Sequence, residues 1–240
     1  MKHFLSLAIA ISLSLTSFSQ KMTREFVVKN GEMIEHALPL EFKYLFPDFT
    51  PMTIIEDSGD EYHGKINVFL PSHTLRTVDD NGDTLLVADP ELISRITSAD
   101  KTIIPVGEKY VTLIAEYGET TLSELCTVEL EYEQISDNDV YNPLEEFKTA
   151  SPRIIRSAKV PVLRPAKKPS EVKMKCTYRM EYVLTQGDNI YPAKLKSFLK
   201  VFPASRSAIK DYVRTYRTFF NERESVLNLF NYCVQLQEIM

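Results

Sequence analysis

The side chains best suited to metal or nucleophilic chemistry are Cys126, Cys176 and Cys233 with His36, His63 and His73. Their spacing argues against both. Two zinc ligands held by one turn need a pattern such as C-x-x-C or H-x-x-x-H, and none occurs here. The nearest approach is His63 and His73, which neighbouring strands could bring together. The cysteines are odd in number and far apart, so at most one disulfide forms and its pairing stays open; each reads as a small buried apolar residue. Around Cys126 nothing marks an activated thiolate. No G-x-S-x-G elbow, G-x-G-x-x-G loop or Walker pattern is present, and seven glycines leave few backbone turns for an oxyanion hole. The carboxylate pairs Glu56-Asp57, Asp60-Glu61 and Glu145-Glu146 are adjacent in sequence, and adjacent strand residues point to opposite faces. The acidic tract Thr77–Asp89 invites calcium. Placing Gly82 at the glycine of an EF-hand loop, however, leaves Thr77 for the first carboxylate and Ala88 for the bidentate Glu. No catalytic, cofactor-binding or metal-binding residue is assigned.

Positioning any site falls to a β-rich segment and a helical tail. Between Thr23 and Leu130, runs of β-branched and aromatic residues alternate with turn clusters. Asp57-Ser58-Gly59-Asp60 joins Met52–Ile55 to Glu61–Leu70 as a hairpin. Asp79-Asp80-Asn81-Gly82-Asp83 joins His73–Val78 to Thr84–Val87, with Asn-Gly supplying residues that tolerate positive φ. Gly107 and Gly118 punctuate the strands that follow. Further on, Met174, Cys176, Tyr178, Met180 and Tyr182 share one strand face, and Gln186–Asn189 turns the chain back into Ile190-Tyr191. Two strands alone are marginal in water, so this hairpin should rejoin the upstream sheet. Three helices are expected to finish the chain. Their apolar stripes are Leu195, Phe198, Leu199 and Phe202; then Ile209, Tyr212, Val213 and Tyr216; then Val226, Leu227, Phe230, Cys233, Val234 and Leu236. Asn221 with Glu224 resembles a capping box for the last. The fold class expected is α+β, an antiparallel meander or curled sheet with C-terminal α-helices.

Residues 1–19 read as a secretory signal peptide: Lys2 and His3, an apolar stretch Phe4–Leu15, and small Ser17 and Ser19 at the cleavage site. Residues 20–130 are then the β-rich region and 131–172 a charged, Pro-rich linker. Residues 173–240 hold the late hairpin and helices, packed with the β-rich region. The linker is acidic first, then basic through Arg153, Arg156, Lys159, Arg164, Lys167 and Lys168. Those six are the candidate docking residues for an anionic envelope component or protein partner, weighed against a solvated linker. A net charge of −5 and a pI near 5.5 argue against nucleic acid. No second apolar run reaches the length of a membrane span.

Phe18-Ser19-Gln20, Phe46-Pro47-Asp48-Phe49, Asn81-Gly82-Asp83-Thr84-Leu85 with Asp89-Pro90, Tyr191-Pro192-Ala193 and Phe198–Pro203 together carry a resemblance. The chain resembles a family of exported proteins of Bacteroidota that has no assigned activity. The resemblance implies a periplasmic or secreted, β-rich, non-enzymatic protein and transfers no site residues.

The expectation is therefore an exported, non-catalytic protein that binds a partner or ligand in the cell envelope and uses no cofactor. One alternative is a binder of a small apolar, lipid-like ligand enclosed by the curled sheet and the aromatic helices, which requires a cavity of roughly 300 Å³ or more. Another is a hydrolase built from dispersed residues, which requires a Cys, Ser or carboxylate beside one of the three histidines.

Overall fold

The structure is a computed structural model that describes residues 21–29, 32–132 and 171–239. The leader, most of the linker and all six candidate docking residues from Arg153 to Lys168 lie outside the described residues. Eleven strands form one antiparallel sheet. They are β1 (Lys21–Lys29), β2 (Thr50–Glu56), β3 (Glu61–Phe69), β4 (Thr74–Val78), β5 (Thr84–Leu86), β6 (Ile93–Thr97), β7 (Thr102–Val106), β8 (Lys109–Tyr117), β9 (Thr120–Tyr132), β10 (Glu171–Gln186) and β11 (Asn189–Pro192). Among the described residues four α-helices accompany them: α1 (Ile34–Ala37), α2 (Leu195–Val201), α3 (Arg206–Tyr216) and α4 (Arg223–Glu238). The α+β expectation holds: a curled antiparallel sheet carries the C-terminal helices.

The strand order is β1-β10-β9-β8-β7-β6-β2-β3-β4-β5, with β11 on the free end of β10. Turn chemistry explains the hairpins. Gly59, Gly107, Gly118 and Gly187 all take positive φ at joints between paired strands. The β4–β5 connection differs in detail from a two-residue turn. Only Gly82 has positive φ, and the loop is closed by the Asp79 carboxylate, which accepts from Asn81 N–H at 2.9 Å and Asp83 N–H at 2.8 Å. The late hairpin rejoins the sheet as expected, because β10 pairs β9 from Met174↔Tyr132 to Gln186↔Thr120. Its other edge takes β1, with Lys21 opposite Arg179, so the first and last long strands are neighbours. Strand pairing trims the expected linker at both ends, since Glu131 and Tyr132 belong to β9 and Glu171 and Val172 to β10.

Two cores result. Leu122, Cys126 and Val128 of β9 and Cys176, Met180, Tyr182 and Leu184 of β10 pack beneath Phe198, Phe202, Ile209, Val226, Leu229, Phe230 and Cys233 of the helical segment. A second core lies between β2, β3, β4, β6 and β7, with Met52, Ile54, Ile66, Val68, Leu75, Ile93, Ile96 and Ile103, and Phe46 joining from the preceding loop. That loop is fastened by the fully buried Asn67. Its side chain accepts from Phe46 N–H at 3.1 Å and donates to the Phe46 and Asp48 carbonyls at 2.9 and 3.0 Å.

Three local expectations need correction. The N-cap of α4 is Glu222, without a side-chain cap, so the Asn221–Glu224 box does not form; Ser225 Oγ instead accepts from Phe219 N–H at 2.8 Å. Tyr216 ends α3 as an exposed residue, its ring tilted against Tyr212 at 4.5 Å between centroids. On α4 the apolar face includes the fully buried Leu229, while Leu227 and Val234 are only partly buried.

Candidate functional site

Alternation along β2 and β3 puts Ile54 and Glu56 on the same face as Tyr62, Gly64 and Ile66, and the register sets Ile54 opposite Tyr62. On β4, Thr77 pairs Ile66 and extends that face. After β5 the chain must return to β6, which pairs β2 on its other side, so Leu86–Asp89 crosses over the face rather than continuing the sheet. A hydrogen bond from Val87 N–H to the Leu75 carbonyl (3.0 Å) fixes the crossing. Between crossing and sheet lies a partly open concavity of about 410 Å³. Its floor is the buried Ile54, Ile66 and Ile93; its walls are Thr77, Leu86 and Val87; its rim holds Glu56, Tyr62, His63 and Asp89. Small-molecule pockets typically span roughly 300–1,000 Å³ with apolar linings and a few polar groups, which this one matches.

Gly64 makes the space. It is a glycine inside a strand at negative φ, where no turn demands it, and a Cβ there would lie 3.5 Å from both Ile66 Cδ1 and Thr77 Oγ1. Any larger side chain would project into the concavity. A strand-interior glycine carries a packing cost and marks a close approach of backbone or ligand. At the rim, Asp89 adopts φ 46°, ψ 52°, a left-handed conformation uncommon for a residue with a side chain and placed directly before Pro90.

The histidines and cysteines do not meet here or elsewhere. His63 and His73 are separated by the β3–β4 register, since Ile66 pairs Thr77 and Phe69 pairs Thr74, leaving His63 and His73 toward opposite ends of the hairpin. His63 Nδ1 shares a hydrogen bond with Thr53 Oγ1 at 2.9 Å. His36 is exposed. His73, at φ 49°, keeps a buried Nδ1 without a partner, and burial followed by the nearby Lys109 lowers its pKa to about 4. Among the described residues none of the three histidines has a Cys, Ser or carboxylate within hydrogen-bond reach, and no three His, Cys, Asp or Glu converge as a metal cluster.

All three cysteines are buried and unbridged. Cys126 Sγ lies 3.1 Å from Tyr178 Oη, and burial pushes the thiol up to about 11 and the phenol well above its usual range. Burial alone holds Cys233 up at about 12. A nucleophilic thiol needs the opposite shift, so these side chains serve packing. The phenylalanines of the helices are also core: Phe202 meets Phe198 and Phe230 at 6.4 and 6.0 Å between centroids. They do not line the concavity, which lies on the hairpin side of the sheet.

Charge divides the molecule. Residues 56–91, which build the concavity, contain nine Asp or Glu against two Lys or Arg. Residues 194–223 contain eight Lys or Arg against two Asp or Glu. Arg206, Lys210, Arg214 and Arg217 follow one another at intervals of four, four and three, forming an exposed stripe along α3. Of these, Arg214 pairs with Asp211 at 2.8 Å. Sequence reasoning missed both the stripe and the concavity. The signals were the mid-strand Gly64 and the i, i+4 spacing of basic residues. Among the described residues no helix is long and apolar enough to cross a membrane. No family model matches the chain, and no curated protein or solved structure matches it significantly.

Proposed function

We propose that this is an exported, non-catalytic binding protein whose small ligand lies in the concavity between Gly64 and the Leu86–Asp89 crossing. The space made at Gly64 above an isoleucine floor carries the reading. A fully efficient sheet would place a side chain at that position, and a ligand can occupy what glycine leaves empty. The secretory leader pattern and the resemblance to exported Bacteroidota proteins support the location. Titration of the full chain with 1-naphthylmethanol, followed by amide NMR shifts, tests the ligand. Shifts should concentrate at Ile54, Tyr62, Ile66 and Leu86–Asp89, and Gly64→Val should abolish them. Binding that survives Gly64→Val would overturn the reading. Mass spectrometry of the protein recovered from its native cells tests export, with a mature chain beginning at Gln20 as the expected result.

A second reading rests on the α3 stripe, which suits docking of the same exported protein on an anionic lipid surface, with the exposed Tyr216 and Phe219 rings at the end of the stripe. Co-sedimentation with phosphatidylglycerol vesicles but not phosphatidylcholine vesicles is the expected outcome, and equal behaviour with both would end it.

A further inference from the structure

The geometry points to an organic cation with an apolar body as the ligand class of the concavity, an inference that rests on the pocket reading above. The lining contains two carboxylates, Glu56 and Asp89, and no lysine or arginine. Neither carboxylate has a side-chain hydrogen bond or ion pair among the described residues, so both stay available to a guest. The two basic residues of the surrounding segment are turned away or committed. Lys65 alternates with the lining residues Gly64 and Ile66 and therefore projects from the other side of β3. Arg76 is held by Glu35, with its second nitrogen 3.1 Å from the carboxylate, and lies over the Phe69 ring at 3.8 Å. No lysine or arginine in the lining neutralises Glu56 and Asp89, and the rim His63 is engaged at Nδ1 by Thr53 Oγ1.

Tyr62 adds a recognition element. Tyr62 is 53 % exposed: it lies opposite Ile54 at the start of β3, before the stretch that pairs β4, so a face of its ring remains for contact. An aromatic face beside carboxylates, above an apolar floor, is the combination that favours an alkylammonium or similar cation: the ring quadrupole and the carboxylates attract the charge, and the isoleucines take the body. An anionic guest would meet two like charges and the acidic Asp57, Asp60, Glu61 and Glu91 nearby in sequence.

Three probes with one apolar body separate this inference from the pocket reading: 1-naphthylmethylammonium, neutral 1-naphthylmethanol and 1-naphthylacetate, titrated by NMR at low salt. The cation is expected to bind about tenfold tighter than the alcohol, and the acetate weakest. A Glu56→Gln/Asp89→Asn double variant should bring cation and alcohol within about twofold; Asn tolerates the left-handed backbone at position 89. Equal or tighter binding of the alcohol or acetate to the unaltered chain overturns the cation inference and leaves the pocket standing. Failure of all three probes overturns the pocket itself, and the cation inference with it. A double variant that keeps the cation preference overturns the roles of Glu56 and Asp89.

Discussion

Over β8, β9 and β10 the sheet is covered by α2, α3 and α4, whereas over β2, β3, β4 and β6 the cover among the described residues is the stretch from Leu86 to Leu92 together with Leu45 and Phe46 of the loop before β2. Both areas have the same strand grammar, with apolar residues alternating toward the covered face. Under the helices, three phenylalanines and the aliphatic residues around them fill the space, and Phe198, Ile209, Leu229 and Cys233 are fully buried. Under the crossing, a single half-buried Val87 reaches the core and a concavity remains. The covers also differ in charge: helices rich in Lys and Arg on one side, a hairpin region rich in Asp and Glu on the other. The lesson is that an alternating strand specifies a surface to be covered, and the bulk of the cover decides between core and binding site.

The comparison breaks most readily at the helices. Phe198→Ala should cost about 3–5 kcal/mol in denaturant unfolding, because it empties a filled core, while Val87→Ala should cost less than about 1 kcal/mol at the edge of a space already empty. Equal losses would dissolve the contrast. Within the hairpin region, rigidity comes from polar fastening more than from bulk, so Asn67→Ala should cost about 3 kcal/mol by orphaning the Phe46 and Asp48 backbone groups. A thermal melt would show whether that exceeds the effect of Val87→Ala.

A smaller effect concerns pH. Folded His73 resists protonation down to about pH 4, whereas the unfolded side chain takes its proton near 6.5. Its contribution to stability is therefore complete above about pH 6.5 and is lost as pH falls toward 4. The loss should be on the order of 2 kcal/mol after allowing for partial solvent screening. His73→Asn keeps the positive-φ backbone accessible and should remove this part of the slope, measured as the difference between the two stability–pH curves. Smallest in stability terms is Arg206→Glu/Lys210→Glu/Arg214→Glu. It should change unfolding free energy by less than about 1 kcal/mol yet abolish salt-dependent retention on a polyanionic resin.

Much of the fold is legible in the amino-acid sequence. The β2–β3 and β4–β5 hairpins follow from Asp57–Asp60 and Asp79–Asp83, and the buried face of β10 follows from Met174, Cys176, Met180 and Tyr182. Turn residues act through their own φ and side chains, so their effect is local and readable. The pairing of β1 with β10 is not readable, because period-two alternation tells which face a residue occupies but not which strand lies beside it. The Asn221 cap fails for a related reason: the chain enters α4 one residue later, where Ser225 already binds Phe219. Of the candidate site, Glu56, His63 and Asp89 are visible as residues, but nothing in their spacing announces a common rim.

From the chain alone came an alternating, glycine-punctuated β region, three amphipathic helices and unactivated, scattered cysteines and histidines, since these depend on residue type and near neighbours. Only the tertiary structure decided that Leu86–Asp89 would cross over Gly64 and that the helices would fill the other half of the sheet. Those outcomes depend on contacts between residues tens to more than a hundred positions apart, whose closure is set by competition among whole faces rather than by any local preference.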